Sequence, residues 1–255
     1  MISSPHNERL KYIRALQSKP RLRREDGRAV LEGVRLISDA LAAGIRPEFV
    51  VYSAEATQEG KGGAALLNTL NAHHVLCLET TAALLTQAAE TTTPQGVIAV
   101  VPLPHLALPH PLRRALILDA ISDPGNLGTI LRTAAAAGVD AVFLAPGCAD
   151  PYSGKALRAG MGAHFRIPAS PTGWAMIQET CGGLTVYLAD AEGERSYRAV
   201  DWAQPHGVII GGEARGAGDA ARALATGRIR IPMANDAESL NAAAAAAVIL
   251  FAAQG

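Results

Sequence analysis

An α/β fold is predicted for this 255-residue chain: a parallel sheet covered on both faces, preceded by a smaller α/β module. Three observations predict it. Beyond residue 112, short and largely apolar runs alternate with helical patterns, and continuous apolar strands belong to parallel sheets buried on both sides. Before residue 102, amphipathic helices mix with a few short strands. Between the two lies Pro102-Leu-Pro-His-Leu-Ala-Leu-Pro-His-Pro111, where proline disfavours helix at its own position and at the one before it. The expected divisions are therefore 1–101, an extended linker at 102–112, and 113–255.

Taken in order, residues 6–17 read as a helix because Leu10, Ile13 and Leu16 recur at helical spacing. Residues 21–24, Arg-Leu-Arg-Arg, read as a turn. After Arg28-Ala-Val-Leu-Glu-Gly33 a second helix sets Val34, Ile37 and Leu41 on one face. Strands are expected at 49–52, 75–78 and 96–101. In the second region they are expected at 116–118, 141–145, 185–189, 208–210 and 228–231. The alanine runs at 134–137 and 242–247 sit inside helices, either for close helix approach or simply for helix propensity. General topology rules favour a doubly wound, unknotted arrangement of such a sheet.

Composition is that of a globular protein, 49% hydrophobic and 18% charged with net charge zero. No global field announces a nucleic-acid partner, but the charge is unevenly placed. Residues 1–35 hold nine Lys or Arg against four acids. Such a segment either contacts phosphates or forms a solvated helix face, and charge alone does not separate the two. The three cysteines are far apart with no Cys-x-x-Cys spacing, so neither a zinc site nor a disulfide framework is expected. A reducing cytoplasm fits that usage. No apolar segment of signal-peptide type follows Met1, and Glu8, Glu25 and Asp26 argue against an organellar transit sequence. The longest apolar run, 242–253, is twelve residues, short of the roughly 20 that span a bilayer.

Four blocks carry chemistry. In the first, Leu118-Asp119 ends a strand, Pro124-Gly125 makes a turn, and a helix begins near Asn126 and carries Arg132. The second is Lys155-Ala-Leu-Arg158-Ala-Gly160-Met-Gly162. In the third, a strand runs into Gly211-Gly212-Glu213-Ala-Arg-Gly216. There glycine permits a close backbone approach to a ligand, and Glu213 falls at the strand's carboxyl end, where open α/β sheets bind ligands. The fourth is Ile231-Pro232-Met233 followed by Ser239-Leu240-Asn241 at the head of the last helix. Ser239 there suits a helix N-cap, while Asn241 is a polar group in an otherwise apolar run. A competing pattern, Gly216-Ala-Gly218-Asp-Ala-Ala221 with Asp236 beyond it, matches a dinucleotide fingerprint. It does not follow its strand directly, as that fingerprint requires.

In this order the blocks resemble the motifs of the SpoU-type, or TrmH-like, RNA ribose methyltransferases of the SPOUT superfamily. The resemblance implies transfer of a methyl group from S-adenosylmethionine to a ribose 2′-hydroxyl, in a domain with a C-terminal trefoil knot. It further implies a homodimer and an RNA substrate; ribosomal RNA is expected ahead of transfer RNA, and the cysteine spacing and the short apolar run lead to no metal and no membrane partner being expected. The resemblance assigns Asn126, Arg132, Glu213, Ser239 and Asn241 to the active site. Main-chain groups around Gly211, Gly212, Ile231, Met233 and Leu240 would hold the cofactor. Lys155 and Arg158 are implied RNA-phosphate contacts, although Gly160 stands where the family has serine. Residues 1–101 resemble the RNA-binding substrate domain of such enzymes through Arg24, Leu31-Glu32-Gly33 and Thr93-Pro94-Gln95-Gly96, which puts Arg21, Arg23 and Arg24 on RNA. Arg132 is always protonated under ordinary conditions, so orienting a phosphate is easier for it than removing a proton. Two alternatives stay open: an RNA-binding protein of the same fold without catalysis, and a nicotinamide-dependent oxidoreductase using the Gly216 pattern. No residue points to one target nucleotide, or to antibiotic resistance over housekeeping modification.

Overall fold

The structure is a computed structural model that describes residues 1–58, 62–212, 216–235 and 239–254. It divides into two compact units, Met1–Pro104 with Tyr152–Arg158, and His105–Pro151 with Ala159–Gly255.

The first unit is built on a four-stranded sheet of order β1-β4-β2-β3. The strands are β1 (Arg28–Glu32), β2 (Phe49–Ser53), β3 (Leu76–Thr80) and β4 (Val97–Pro102). Strand β4 runs antiparallel to β1 and β2, while β2 and β3 are parallel. Its helices are α1 (Glu8–Ser18), α2 (Pro20–Asp26), α3 (Val34–Ala42), α4 (Ala54–Gln58), α5 (Gly63–Ala72) and α6 (Ala82–Ala88). Leu10, Ile13 and Leu16 of α1 are fully buried and pack with Phe49, Ile98 and Val100. Residues 21–24 are not a turn. They lie inside α2, which starts on Pro20 and stops at the left-handed Gly27, φ 64°. Proline at the first helical position and glycine just past the last are the ordinary start and stop of a helix.

The second unit carries a seven-stranded sheet of order β7-β6-β5-β10-β8-β11-β9, parallel in every pairing. The strands are β5 (Arg114–Asp119), β6 (Ala141–Leu144), β7 (Ala169–Pro171), β8 (Thr185–Ala189), β9 (Arg195–Ser196), β10 (His206–Gly211) and β11 (Gly227–Arg230). Helices α7 (Pro124–Ala136), α9 (Trp174–Cys181), α10 (Asp219–Leu224) and α11 (Ala242–Ala252) complete it; α8 (Gly154–Gly160) is grouped through Arg158 with the first unit.

Alternation along the strands explains the two covered faces. Leu116, Leu118, Val208 and Ile210 point to a core shared with α7 and α11. Ala115, Ile117 and Ile209 point to the opposite core, with Ile177 of α9 and Ala221 of α10. Each expected strand of this region falls on an observed one, and β7 and β9 are added at the edges. No described helix is long and apolar enough to cross a membrane.

Candidate active site

The carboxyl ends of β10, β8 and β11 open into a pocket of about 440 Å³ in the second unit, the edge at which open α/β sheets bind ligands. Gly211, Gly212, Ile231, Met233 and Leu240 all line it. Ser239 and Asn241 line it too. Residues from two blocks that lie some twenty positions apart in sequence are therefore brought to one cavity.

Helix α7 begins two residues earlier than its pattern indicated. Asp123 is the N-cap, its carboxylate accepting the Asn126 N–H at 2.8 Å, and Pro124 takes the first helical position. Pro124-Gly125 is thus the first turn of the helix. Asn126 follows in that turn, and its Oδ1 accepts a hydrogen bond from Asn241 Nδ2 at 3.3 Å. Asn241, not Ser239, caps α11: its Oδ1 accepts the N–H of Ala243 at 2.9 Å and of Ala244 at 3.4 Å. One asparagine therefore fixes the start of the last helix with its carbonyl and reaches the first block with its amide.

The glycines of the third block have a nearer cause than a ligand. A Cβ on Gly211 would come within 2.6 Å of Ala217 N, and one on Gly212 would overlap the carbonyl oxygen of Ala120. The protein's own backbone makes the close approach, helped by Ala120 standing at φ 55°. Buried Asp119 next to it accepts the Gly218 N–H at 2.7 Å, and Gly216 N–H bonds Gly212 O at 2.9 Å. These bonds consume the amides that a dinucleotide fingerprint would turn toward phosphate, and α10 is only six residues long. The nicotinamide alternative loses its site.

Arg132 is exposed on α7. It lies six residues, about 9 Å of helix rise, beyond Asn126, and it is not among the residues that line the pocket. Glu213 and Asp236 lie outside the described residues. The two charged residues that line the pocket, among those described, were not anticipated from the sequence: Asp190 and Arg222, joined at 3.0 Å. Asp190 directly follows the strand at 185–189, and that position was the available signal.

Of the expected RNA contacts, Arg23 is corrected. It is 3% exposed, and its guanidinium donates to Leu16 O and, at 2.8 Å, to Gln17 O. It closes the last turn of α1, where carbonyls lack helical partners. Arg21 is exposed and pairs with Glu25 at 2.6 Å, while Arg24 is exposed. Lys155 is exposed, and Arg158 pairs with Glu90 at 3.1 Å. The glycine at 160 also has a local reason. A Cβ there would lie 2.8 Å from Nδ1 of His164, whose ring fills the space. That ring is buried, which pushes its pKa down to about 4. Cys77, Cys148 and Cys181 are not bridged, and the described residues contain no cluster of metal-ligating type.

Known proteins share this architecture. Residues 113–251 match the SpoU rRNA Methylase family, and residues 7–99 match the MRM3-like substrate binding domain. The 23S rRNA (guanosine(2553)-2′-O)-methyltransferase RlmP of Bacillus subtilis (strain 168) is 32% identical over 257 residues, covering 100% of this chain and 99% of its own length. The 23S rRNA (uridine(2479)-2′-O)-methyltransferase of Streptomyces viridochromogenes is 31% identical over 257 residues, with coverages of 96% and 88%. An AdoMet-bound rRNA methyltransferase from Sinorhizobium meliloti superposes with a TM-score of 0.87 at 30% identity, over 99% of this chain and 96% of that one. From the first block to the last helix, the chain belongs to the SpoU rRNA methylase family that its motifs resemble.

Proposed function

We propose that this protein transfers the methyl group of S-adenosylmethionine to a ribose 2′-hydroxyl in ribosomal RNA. The observation that carries it is the Asn126–Asn241 contact at the pocket, which joins the first and last blocks at one point. The pocket fits the cofactor: apolar walls of Ile231, Leu240 and Ile249 suit a flat base, and glycine backbone at 211 and 212 offers main-chain edges. When bound there, S-adenosylmethionine supplies an electrophilic methyl group for in-line attack. Holding donor and acceptor in line is worth several kcal/mol, on the order of 7–11 in ideal cases. Asn126, Asn241 and Ser239 supply that alignment, and Glu213 is assigned with them from the motif. Arg132 stays cationic and orients the phosphate of the target nucleotide.

Because Arg132 does not line its own chain's pocket, a homodimer in which it serves a partner's pocket is part of the proposal. Phe251 of α11, 53% exposed, offers apolar surface for that contact. A trefoil knot belongs to the same proposal, supported by β10 lying between β5 and β8 and by α11 returning onto α7. Residues 1–101 are proposed to bind RNA, together with Lys155 and Arg158, with 102–112 as linker and 113–255 as the methyltransferase domain. The three unbridged cysteines suit the cytoplasm.

The test is transfer of tritium from labelled S-adenosylmethionine to unmodified ribosomal and transfer RNA. Label recovered as 2′-O-methylnucleoside from ribosomal RNA is expected, and Arg132→Ala should abolish transfer while cofactor binding is kept. Unchanged turnover in that variant would remove Arg132 from the mechanism. Absence of S-adenosylmethionine binding would sink the enzyme assignment.

A further inference from the structure

Asp190 is the one acidic side chain among the described residues that line the pocket. It is the first residue past β8, and its side chain is 16% exposed. Its backbone is fixed by two hydrogen bonds: its N–H donates to Ile229 O at 2.9 Å, and its carbonyl accepts Gly193 N–H at 3.0 Å. Its carboxylate is fixed as well. Oδ1 accepts the Glu192 N–H at 3.0 Å, and Oδ2 accepts from Arg222 Nη1 at 3.0 Å, with Arg228 Nη1 at 3.9 Å.

A carboxylate offers about four acceptor positions, and the hydrogen bonds just described occupy two. The capacity that remains adjoins the pocket. Arg222 compensates its charge, with Arg228 shared between Asp190 and its closer partner Glu194, so Asp190 presents acceptor oxygens with a reduced negative field. Neutral hydroxyl donors fit such a group better than a cation does. Of the chemical parts of an adenosyl cofactor, the ribose alone carries a pair of adjacent hydroxyls. The base suits the apolar wall, and the amino-acid end is charged.

We infer that Asp190, positioned by Arg222, accepts hydrogen bonds from the 2′,3′-diol of the cofactor's ribose. The inference rests on the cofactor assignment above. Asp190 is then a recognition residue that separates ribosyl from deoxyribosyl ligands, and Arg222 a positioning residue that acts through it.

Calorimetric titration tests this with S-adenosylhomocysteine, which binds without reacting, and its 2′,3′-dideoxy counterpart. The wild-type protein should lose about 10- to 100-fold in affinity when the hydroxyls are removed, the range of a hydrogen bond to a charged group. Asp190→Ala should bind S-adenosylhomocysteine weaker by a similar factor and should no longer distinguish the two ligands. Asp190→Asn, which keeps the shape of the turn, should show reduced discrimination even if the alanine variant does not fold. Arg222→Ala should weaken discrimination less than Asp190→Ala. An Asp190 variant that binds both ligands more weakly but keeps the wild-type ratio between them would make the residue a purely structural element and overturn the inference. A wild-type protein that binds S-adenosylhomocysteine and ignores the hydroxyls would overturn it too, leaving the cofactor assignment intact. A wild-type protein that binds neither ligand would bring down both.

Discussion

Gly160 and His164 show how a departure from a family motif is absorbed one residue at a time. The imidazole occupies the volume that a serine side chain at 160 would need. Gly160→Ser should therefore cost about 1–3 kcal/mol through overpacking. The buried ring also makes stability depend on pH, with a definite sign. Its folded pKa of about 4 lies below the ordinary 6.5, so the unfolded chain takes up the proton first as pH falls. The contribution is complete above about pH 6.5 and is lost on the way down to about pH 4, a change on the order of 3 kcal/mol. His164→Met should remove that acid-side slope, as read by denaturant midpoints at pH 7, 5.5 and 4. An unaltered slope would show that the folded protein accepts the proton without penalty.

At the scale of elements, the head of α11 combines two jobs that substitutions can separate. Asn241→Ala removes the cap and the link to Asn126 together, and should cost about 1 kcal/mol of stability as well as transfer activity. Asn241→Asp keeps the capping oxygen and deletes the amide donor. It should retain thermal stability yet lose turnover, and normal turnover would show that the Asn126 contact is incidental. The site's asparagines were legible from their motif, but the division of labour between Ser239 and Asn241 was not. Both are good capping residues, and only the path of the chain decides which one lies at the helix start. Helix α2 was misread for a similar reason: four residues of mostly arginine show no apolar period, and the information sits in the flanking Pro20 and Gly27. Strands β7 and β9, three and two residues long, are too short to show a pattern and exist because a neighbouring strand offers its edge. Strands β5, β6 and β10, by contrast, were plain, because burial on both faces leaves a continuous apolar signature.

At the scale of the whole molecule, net charge is zero, so any RNA-binding field depends on which cations remain available after folding. Folding engages six of the nine in residues 1–35. Lys11, Arg21 and Arg28 pair with Glu8, Glu25 and Glu48. Arg14 donates to Pro5 O, Arg9 lies over the Phe49 ring, and Arg23 is buried. Lys19, Arg24 and Arg35 are exposed and have no ion pair among the described residues. An excess that looked uniform in the sequence thus reduces to three available charges, because pairing depends on side chains the fold brings together. If these three meet phosphates, replacing all three with alanine should weaken RNA binding and lower the slope of log affinity against log salt by about 2–3. Arg21→Ala should change that slope far less, since its charge is already offset. Arg23→Ala should instead lower the melting temperature, because it strips a buried donor from two carbonyls. Affinity measured at several salt concentrations decides the matter: an unchanged slope in the triple variant would leave the basic segment a solvated surface and move RNA recognition to other residues.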